Sequence, residues 1–312
     1  MMNNRSSKRK IVFVISPKVH LLDLSGPAHV FYEAKEAGVN LDILFVGISD
    51  DVNIQSSAGL FFSNLSSIDE LTVTPNDFII VPGSENILDL IKTDDHFLSK
   101  LNDWHNEGVN ICSICVGVFW LAEAGLLKHK RSTTHWRYQD RLKQLYPETI
   151  VQEDNLFVIE DNLYMSAGVS AGIDLSLHII EILFGHKLAI ELSKEIVYYF
   201  RRSGSDPQLS KFLKYRNHSD SSIHRIQDYI MNHLNEKFTL DDLASEVHMS
   251  KRNMSRKFKA ITHLTIGEYI KVIKIERAKH LLSKGNKMKS VALECGYRSI
   301  NQLKDLLKQD NM

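Results

Sequence analysis

Arg252, Asn253 and Arg256 fall close together in TLDDLASEVHMSKRNMSRKF, residues 239–258. Arg and Asn can each make two hydrogen bonds to a base edge in a major groove, whereas the flanking Lys251 and Lys257 would chiefly neutralise phosphate. The surrounding pattern reads as a helix, a tight turn and a second helix. Leu240, Leu243, Ala244 and Val247 fall at i, i+3, i+4 and i+7, which makes one apolar stripe. Ser250 is placed to cap the second helix, on which Met254 and Phe258 turn inward and leave the basic residues outside. The chemistry expected is DNA recognition; the alternative is a helical hairpin with a solvated basic face.

A second set of reactive residue types lies earlier in the chain. Cys115 ends the apolar run 110–115 and Gly117 follows, so a strand-to-helix junction is expected there, where a helix N-terminus favours a thiolate. Backbone N–H groups near Cys115 and Gly83 would stabilise a negative oxygen. Asp23, Gly26 and Pro27 follow the first expected strand, Gly83 and Ser84 follow another, and His135 with Trp136 closes TTHW, 133–136. In open α/β sheets such positions gather at the carboxyl ends of the strands. Each has a plainer reading: Cys115 as a core thiol, His135 as a satisfied structural histidine, Asp23 as a helix N-cap, Trp136 as core filler. Cys112 and Cys115 form C-x-x-C on or just beyond one strand, with no further His/Cys pair nearby. Neither redox nor zinc use is expected, and no metal or cofactor.

The elements that must position these residues are legible as alternation. Residues 10–16, 41–48, 78–81 and 110–115 read as strands without polar alternation, as expected where helices cover both faces. Residues 22–36, 170–184 and 187–201 read as helices, and 157–160 with 163–166 as a hairpin turned at Asp161–Asn162. The expected fold is an α/β sandwich with a mostly parallel sheet over 10–201, after a tail at 1–9. A linker at 202–222, marked by Gly204, Pro207 and several Ser, leads to an all-α domain over 223–312.

Composition agrees with two such modules. The 312 residues are 43% hydrophobic and 24% charged, with zero formal net charge. That zero conceals an asymmetry: 220–312 carries 17 Lys/Arg against 11 Asp/Glu, and 1–219 carries 21 against 27. A basic module joined to an acidic one suggests that only the C-terminal part meets a polyanion. The longest apolar run, 111–127, is interrupted by Glu123 and is too short for a membrane span. Three cysteines and no export signal point to a reducing cytoplasm.

LDLSGPAHVF (22–31), IIVPGS (79–84), ICSICVGVFWLAEAGLL (111–127), TTHW (133–136) and SAGVSAGIDLSLHIIE (166–181) resemble the ThiJ/PfpI superfamily. Its fold is the class I glutamine amidotransferase-like, flavodoxin-like sandwich. LDDLASEVHMSKRNMSRKFK (240–259), YIKVIKIERAKHLL (269–282) and VALECGYRSINQL (291–303) resemble an AraC/XylS-type DNA-binding domain. The order of the two modules is similar to that of GlxA-like transcriptional regulators. The resemblance implies a homodimer that senses a small, often nitrogen-containing effector, binds double-stranded DNA and engages RNA polymerase. It implies two helix-turn-helix units joined by a long helix, 266–283, with recognition helices at 250–260 and 298–308 in grooves about 34 Å apart. Arg298, Asn301 and Gln302 would be the contacts of the second.

The departures from the family pattern matter as much. Superfamily enzymes of the isocyanide hydratase kind use an acidic residue and a cysteine at the positions of Asp23 and Cys115, with His135 as a plausible third member. Val116, however, replaces the histidine or hydroxyl residue expected after the cysteine, and Ser84 replaces a glycine of the oxyanion turn. The pocket is therefore expected to bind rather than catalyse; the alternative is a cysteine-dependent hydratase or hydrolase with a DNA-binding appendage. Asp23 beside a cation and Trp136 stacked on one would suit an amine or quaternary ammonium. In the second helix-turn-helix, Leu303, Asp305 and Leu307 replace aromatic anchors and a basic residue, so Arg252, Asn253 and Arg256 are expected to carry most of the specificity.

Overall fold

The computed structural model describes residues 8–48, 53–153, 155–198, 202–205, 208, 215–216, 218–283, 285–297 and 299–310. Its centre is the run RKIVFVI, β1 (Arg9–Ile15), whose last five residues are buried. The main sheet continues with β2 (Leu41–Gly47), β3 (Ser66–Ser67), β4 (Phe78–Val81), β5 (Asn110–Ile114), β6 (Phe157–Glu160) and β7 (Leu163–Ser166), in the order β6-β7-β5-β4-β1-β2-β3. All neighbours are parallel except β6 and β7, whose hairpin turns at Asp161 with φ +54°. β1 has β2 on one side and β4 on the other, so the crevice at the ends of β1 and β4 is a switch point where α/β sheets hold ligands.

β4 is buried at all four positions, as its lack of polar alternation predicts. β2 departs from that expectation. It lies next to the edge strand, and Phe45 is 41% exposed, so part of the strand is covered on one face only. The helices of this domain are α1 (Leu21–Glu36), α2 (Ile87–Leu90), α3 (Asp95–Asn106), α4 (Val118–Glu123), α5 (Gln139–Leu145), α6 (Ser170–Phe184) and α7 (His186–Glu195). The expected helix over 187–201 thus ends at Glu195, and 199–201 lie outside the described residues. Phe97 meets Trp120 edge-on at 4.9 Å in the core between α3 and α4.

The chain divides into two compact units after Gln208. The second contains α8 (Ser221–Asn232), α9 (Leu240–Glu246), α10 (Lys251–Thr262), α11 (Ile266–Ser283), α12 (Met288–Glu294) and α13 (Ile300–Asp310). It has two cores. Ile223, Ile226, Leu243, Met254, Phe258, Tyr269 and Ile273 make the first; Ile275, Ala278, Val291, Cys295, Leu303 and Leu306 make the second. α11 supplies both, its first half one and its second half the other, which is the arrangement of two helix-turn-helix units on a shared long helix. Among the described residues no helix is long and apolar enough to cross a membrane.

Candidate ligand site and nucleic-acid interface

Cys115 stands where β5 ends, in the left-handed region at φ +59°, a conformation that costs a non-glycine residue about 1–3 kcal/mol and persists only where packing imposes it. Two glycines make that packing possible. A Cβ on Gly117 would lie 2.2 Å from the Val81 carbonyl oxygen, and one on Gly168 would lie 2.3 Å from the Cys115 Cβ. The Thr134 hydroxyl donates to the Cys115 carbonyl at 2.9 Å and fixes the turn from the other side.

The Asp23 carboxylate points into the same place. It is 1% exposed; one oxygen accepts the Val169 N–H at 2.6 Å, while Oδ2 has no hydrogen-bond partner among the described residues. The His20 Nδ1 lies 3.4 Å from Oδ2, longer than the usual range of such bonds. The ligating atoms of His20, Asp23 and Cys115 all lie within 4.8 Å of one another. This combination of residue types suits a zinc-like cation, although the thiol would first have to lose its proton. It holds that proton firmly. Burial pushes the Cys115 thiol well above its ordinary range and the Asp23 charge adds to the effect, while the Val116 N–H opposes both. The thiolate expected at a helix N-terminus is therefore not favoured: desolvation outweighs one backbone dipole.

The other pocket candidates separate into two groups. Gly83 belongs to the site, since its carbonyl accepts the His20 N–H at 2.8 Å and a Cβ there would meet the Asp23 Oδ2 at 2.8 Å. Ser84 is buried, bridges to Val19, and leaves its hydroxyl without a partner among the described residues. Val116 is buried beside Gly83. His135 lies nearby, half-buried, its pKa lowered by burial and by the Arg137 charge against an opposing pull from Asp23. Trp136 is not core filler: it is 38% exposed, with Arg137 over its ring at 5.4 Å. Gly26 and Pro27 do not join the pocket. They let α1 and α6 approach, Gly26 against Ile173 and Pro27 against Gly172. Asp23 is no helix cap either, since the α1 N-cap is His20. Sequence spacing missed Gly168 and Val169, which reach Cys115 or Asp23 only through the folded sheet, and His20, which lies one turn from Asp23 but meets Cys115 only in the fold.

In the second unit, Ser250 caps α10 by accepting the Asn253 N–H, and Thr239 forms a capping box with Asp242 at the head of α9. Met254 and Phe258 are buried, so Lys251, Arg252, Asn253 and Arg256 stand exposed. Arg256 bonds back to the Asn253 side chain at 3.3 Å, which pre-orders the pair. Lys251 pairs with Asp241 at 2.9 Å. Lys257 is diverted from the expected phosphate contact. Its ammonium bonds the Asp220 carboxylate and the Ser222 hydroxyl, both at 2.8 Å, tying α10 to the start of α8. On α13, Asn301, Gln302, Lys304 and Asp305 are exposed over buried Leu303 and Leu306. This helix begins at Ile300 rather than 298, and Arg298 lies outside the described residues.

The profile of the DJ-1/PfpI family matches residues 9–182, the stretch that carries the sheet, the Cys115 turn and α6. The chain belongs to the DJ-1/PfpI family. A helix-turn-helix domain profile matches residues 243–309. The HTH-type transcriptional regulator CdhR of Pseudomonas aeruginosa is 28% identical over 70% of this chain and 65% of its own length. The chain thus spans just under two thirds of the length of such regulators. The isonitrile hydratase of Pseudomonas putida is 33% identical over 56% of this chain and 72% of its own. A THiJ/PfpI family protein from Pseudomonas syringae, of known structure, is 25% identical with a TM-score of 0.55, covering 65% of this chain and 78% of that one. The DJ-1/PfpI domain is thus similar both to regulators and to an enzyme.

Proposed function

We propose that this chain is a sequence-specific DNA-binding transcriptional regulator whose DJ-1/PfpI domain dimerises and senses a small nitrogen-containing metabolite. The observation that carries the reading is α10: a capped helix with one face locked in a core and Arg252, Asn253 and Arg256 exposed together on the other. Arg and Asn in that setting read guanine and adenine edges. Likeness to HTH-type regulators such as CdhR supports the same reading. Selection from a random duplex library, with the winners titrated against salt, tests it. Paired half-sites about one helical turn or a multiple apart are expected for a dimer. No enrichment at low salt would overturn it.

The effector enters beside Asp23. A buried carboxylate whose side-chain neighbours are the weakly donating Cys115 thiol and the His20 ring favours a ligand that brings N–H groups or positive charge, and the exposed Trp136, next to His135 in the chain, offers a ring for an alkylammonium. Asp23→Asn should abolish the thermal stabilisation given by any amine that stabilises the wild type.

The second reading, hydratase or hydrolase chemistry at Cys115 with Asp23 and His135, rests on the likeness to isonitrile hydratase and on the Cys115–Asp23 cluster. A protonated, buried thiol followed by Val116 argues against it, because covalent catalysis needs an activated nucleophile. Iodoacetamide should modify Cys115 slowly at pH 7, with no turnover of an isonitrile. Rapid alkylation accompanied by turnover would carry the enzyme reading instead.

A further inference from the structure

The segment that leaves the DJ-1/PfpI domain toward the helical unit is fastened at three points. The Arg202 guanidinium and backbone N–H bond the buried Asp174 of α6. The Gly204 carbonyl accepts the Leu156 N–H at 2.9 Å, just before β6. Gln208, the last residue of the unit, makes the third attachment, and of the three it alone binds the loop that holds Cys115. Its Nε2 lies 3.1 Å from the Thr133 hydroxyl oxygen, 2.9 Å from the Thr134 carbonyl and 3.0 Å from the Asn155 carbonyl.

Two features make this attachment unlike ordinary packing. A side-chain amide has two hydrogens, so three acceptors compete for them and the amide has alternative pairings of similar geometry. Its Oε1 is buried with no hydrogen-bond partner among the described residues, a condition that weakens the hold of the clip. Thr134 then joins the clip to the site directly: its carbonyl accepts from Gln208 while its hydroxyl donates to the Cys115 carbonyl. His135, close enough to Asp23 to feel its charge, and Trp136 are the next residues in the chain. A ligand that displaces the backbone at Thr134 disturbs both bonds.

We propose that Gln208 couples the Cys115 site to the last residue of the DJ-1/PfpI unit: occupation of the site shifts Thr134, and the shift re-pairs or releases the Gln208 amide. The proposal deepens the regulator reading and rests on it for its biological meaning. Gln208 is a positioning residue, acting through Thr134 rather than on any ligand.

The test uses the full chain and methyl methanethiosulfonate as the probe of the site. Cys115 is 4% exposed, so its modification requires local opening of the loop that the clip holds. Gln208→Ala is expected to speed modification of the Cys115 peptide about fivefold or more, the lower range of typical coupling between sites. Gln208→Glu keeps the length but presents oxygen to three acceptors, and should act in the same direction. Conversely, Thr134→Val should hasten amide hydrogen exchange in peptides spanning 203–208. Unchanged Cys115 reactivity in both Gln208 variants, each folded by thermal melting, overturns the proposal, as does unchanged exchange in Thr134→Val. Duplex selection with the wild-type chain reads the regulator assignment separately: coupling without DNA enrichment would keep the clip and remove the regulator.

Discussion

The two halves of the helical unit share α11 but are built to different standards. In the first half, α8, α9 and α10 each begin on a side chain that accepts backbone N–H groups: Asp220, Thr239 and Ser250. Its core is organised around Phe258, edge-on to Tyr269 at 5.4 Å, with both rings fully buried. In the second half, the Ser299 hydroxyl accepts the Gln302 N–H at the head of α13, but α12 starts from Lys287 without a side-chain cap, and the aromatic contributor to the core, Tyr297, is half-buried under the Lys274 ammonium. Outward residues differ in the same sense: α10 shows Arg252, Asn253 and Arg256, while α13 places Asp305 among Asn301, Gln302 and Lys304. The contrast teaches that a repeated motif need not be a repeated function. On the proposed regulator reading, the first half would contact bases chiefly through α10 and the second would contribute less.

The most severe way to probe that contrast is to hollow each core. Phe258→Ala should cost about 3–5 kcal/mol, the usual loss for a buried ring, and remove DNA binding with it. Leu303→Ala should cost nearer the lower end of about 2–5 kcal/mol in chemical denaturation. Equal losses would mean that the two cores are equally well packed. Next in size is recognition itself. Arg256→Ala should weaken binding to a selected duplex by about 1–3 kcal/mol and relax specificity at one position, and far more than Arg298→Ala or Asn301→Ala. Comparable losses on α10 and α13 would refute the asymmetry.

Capping offers a smaller and sharper comparison. Thr239→Ala should destabilise by about 1 kcal/mol, whereas Lys287→Ser, which introduces a cap where none exists, should stabilise by about 0.5–2 kcal/mol. The smallest effect concerns Asp220. Bonds from Lys257 and then Ser222 hold its carboxyl below the ordinary 3.8. A depressed folded-state pKa contributes stability that is present above the unfolded value and lost as pH falls toward the folded one. The first half should therefore weaken as pH drops below about 4, by no more than about 1 kcal/mol because the pair is partly solvated, and Asp220→Asn should flatten that dependence in acid denaturation curves.

Much of the fold was legible because its signals are local. The apolar runs that became β1, β4 and β5, the hairpin at Asp161, and the cap at Ser250 each depend on neighbours within a few residues. The site was only partly legible. Cys115, Asp23, Gly83 and His135 were identifiable by type and position, but Gly26 and Pro27 fell to helix packing because small residues before a helical run serve either purpose. Lys257 shows a similar limit: a basic face shows which residues point outward, not which of them finds a carboxylate 37 residues away.

The sequence by itself determined the strands, the helices, the two helix-turn-helix repeats and the basic face of α10, since hydrophobic periodicity and capping act over single turns of chain. Only the tertiary structure decided that Val169 donates to Asp23, that His20 joins Cys115, that desolvation keeps the thiol protonated, and that Gln208 closes on Thr134. Those outcomes depend on which distant backbone atoms the sheet brings within hydrogen-bond reach and on how completely water is excluded there, and neither quantity is set by any short stretch of residues.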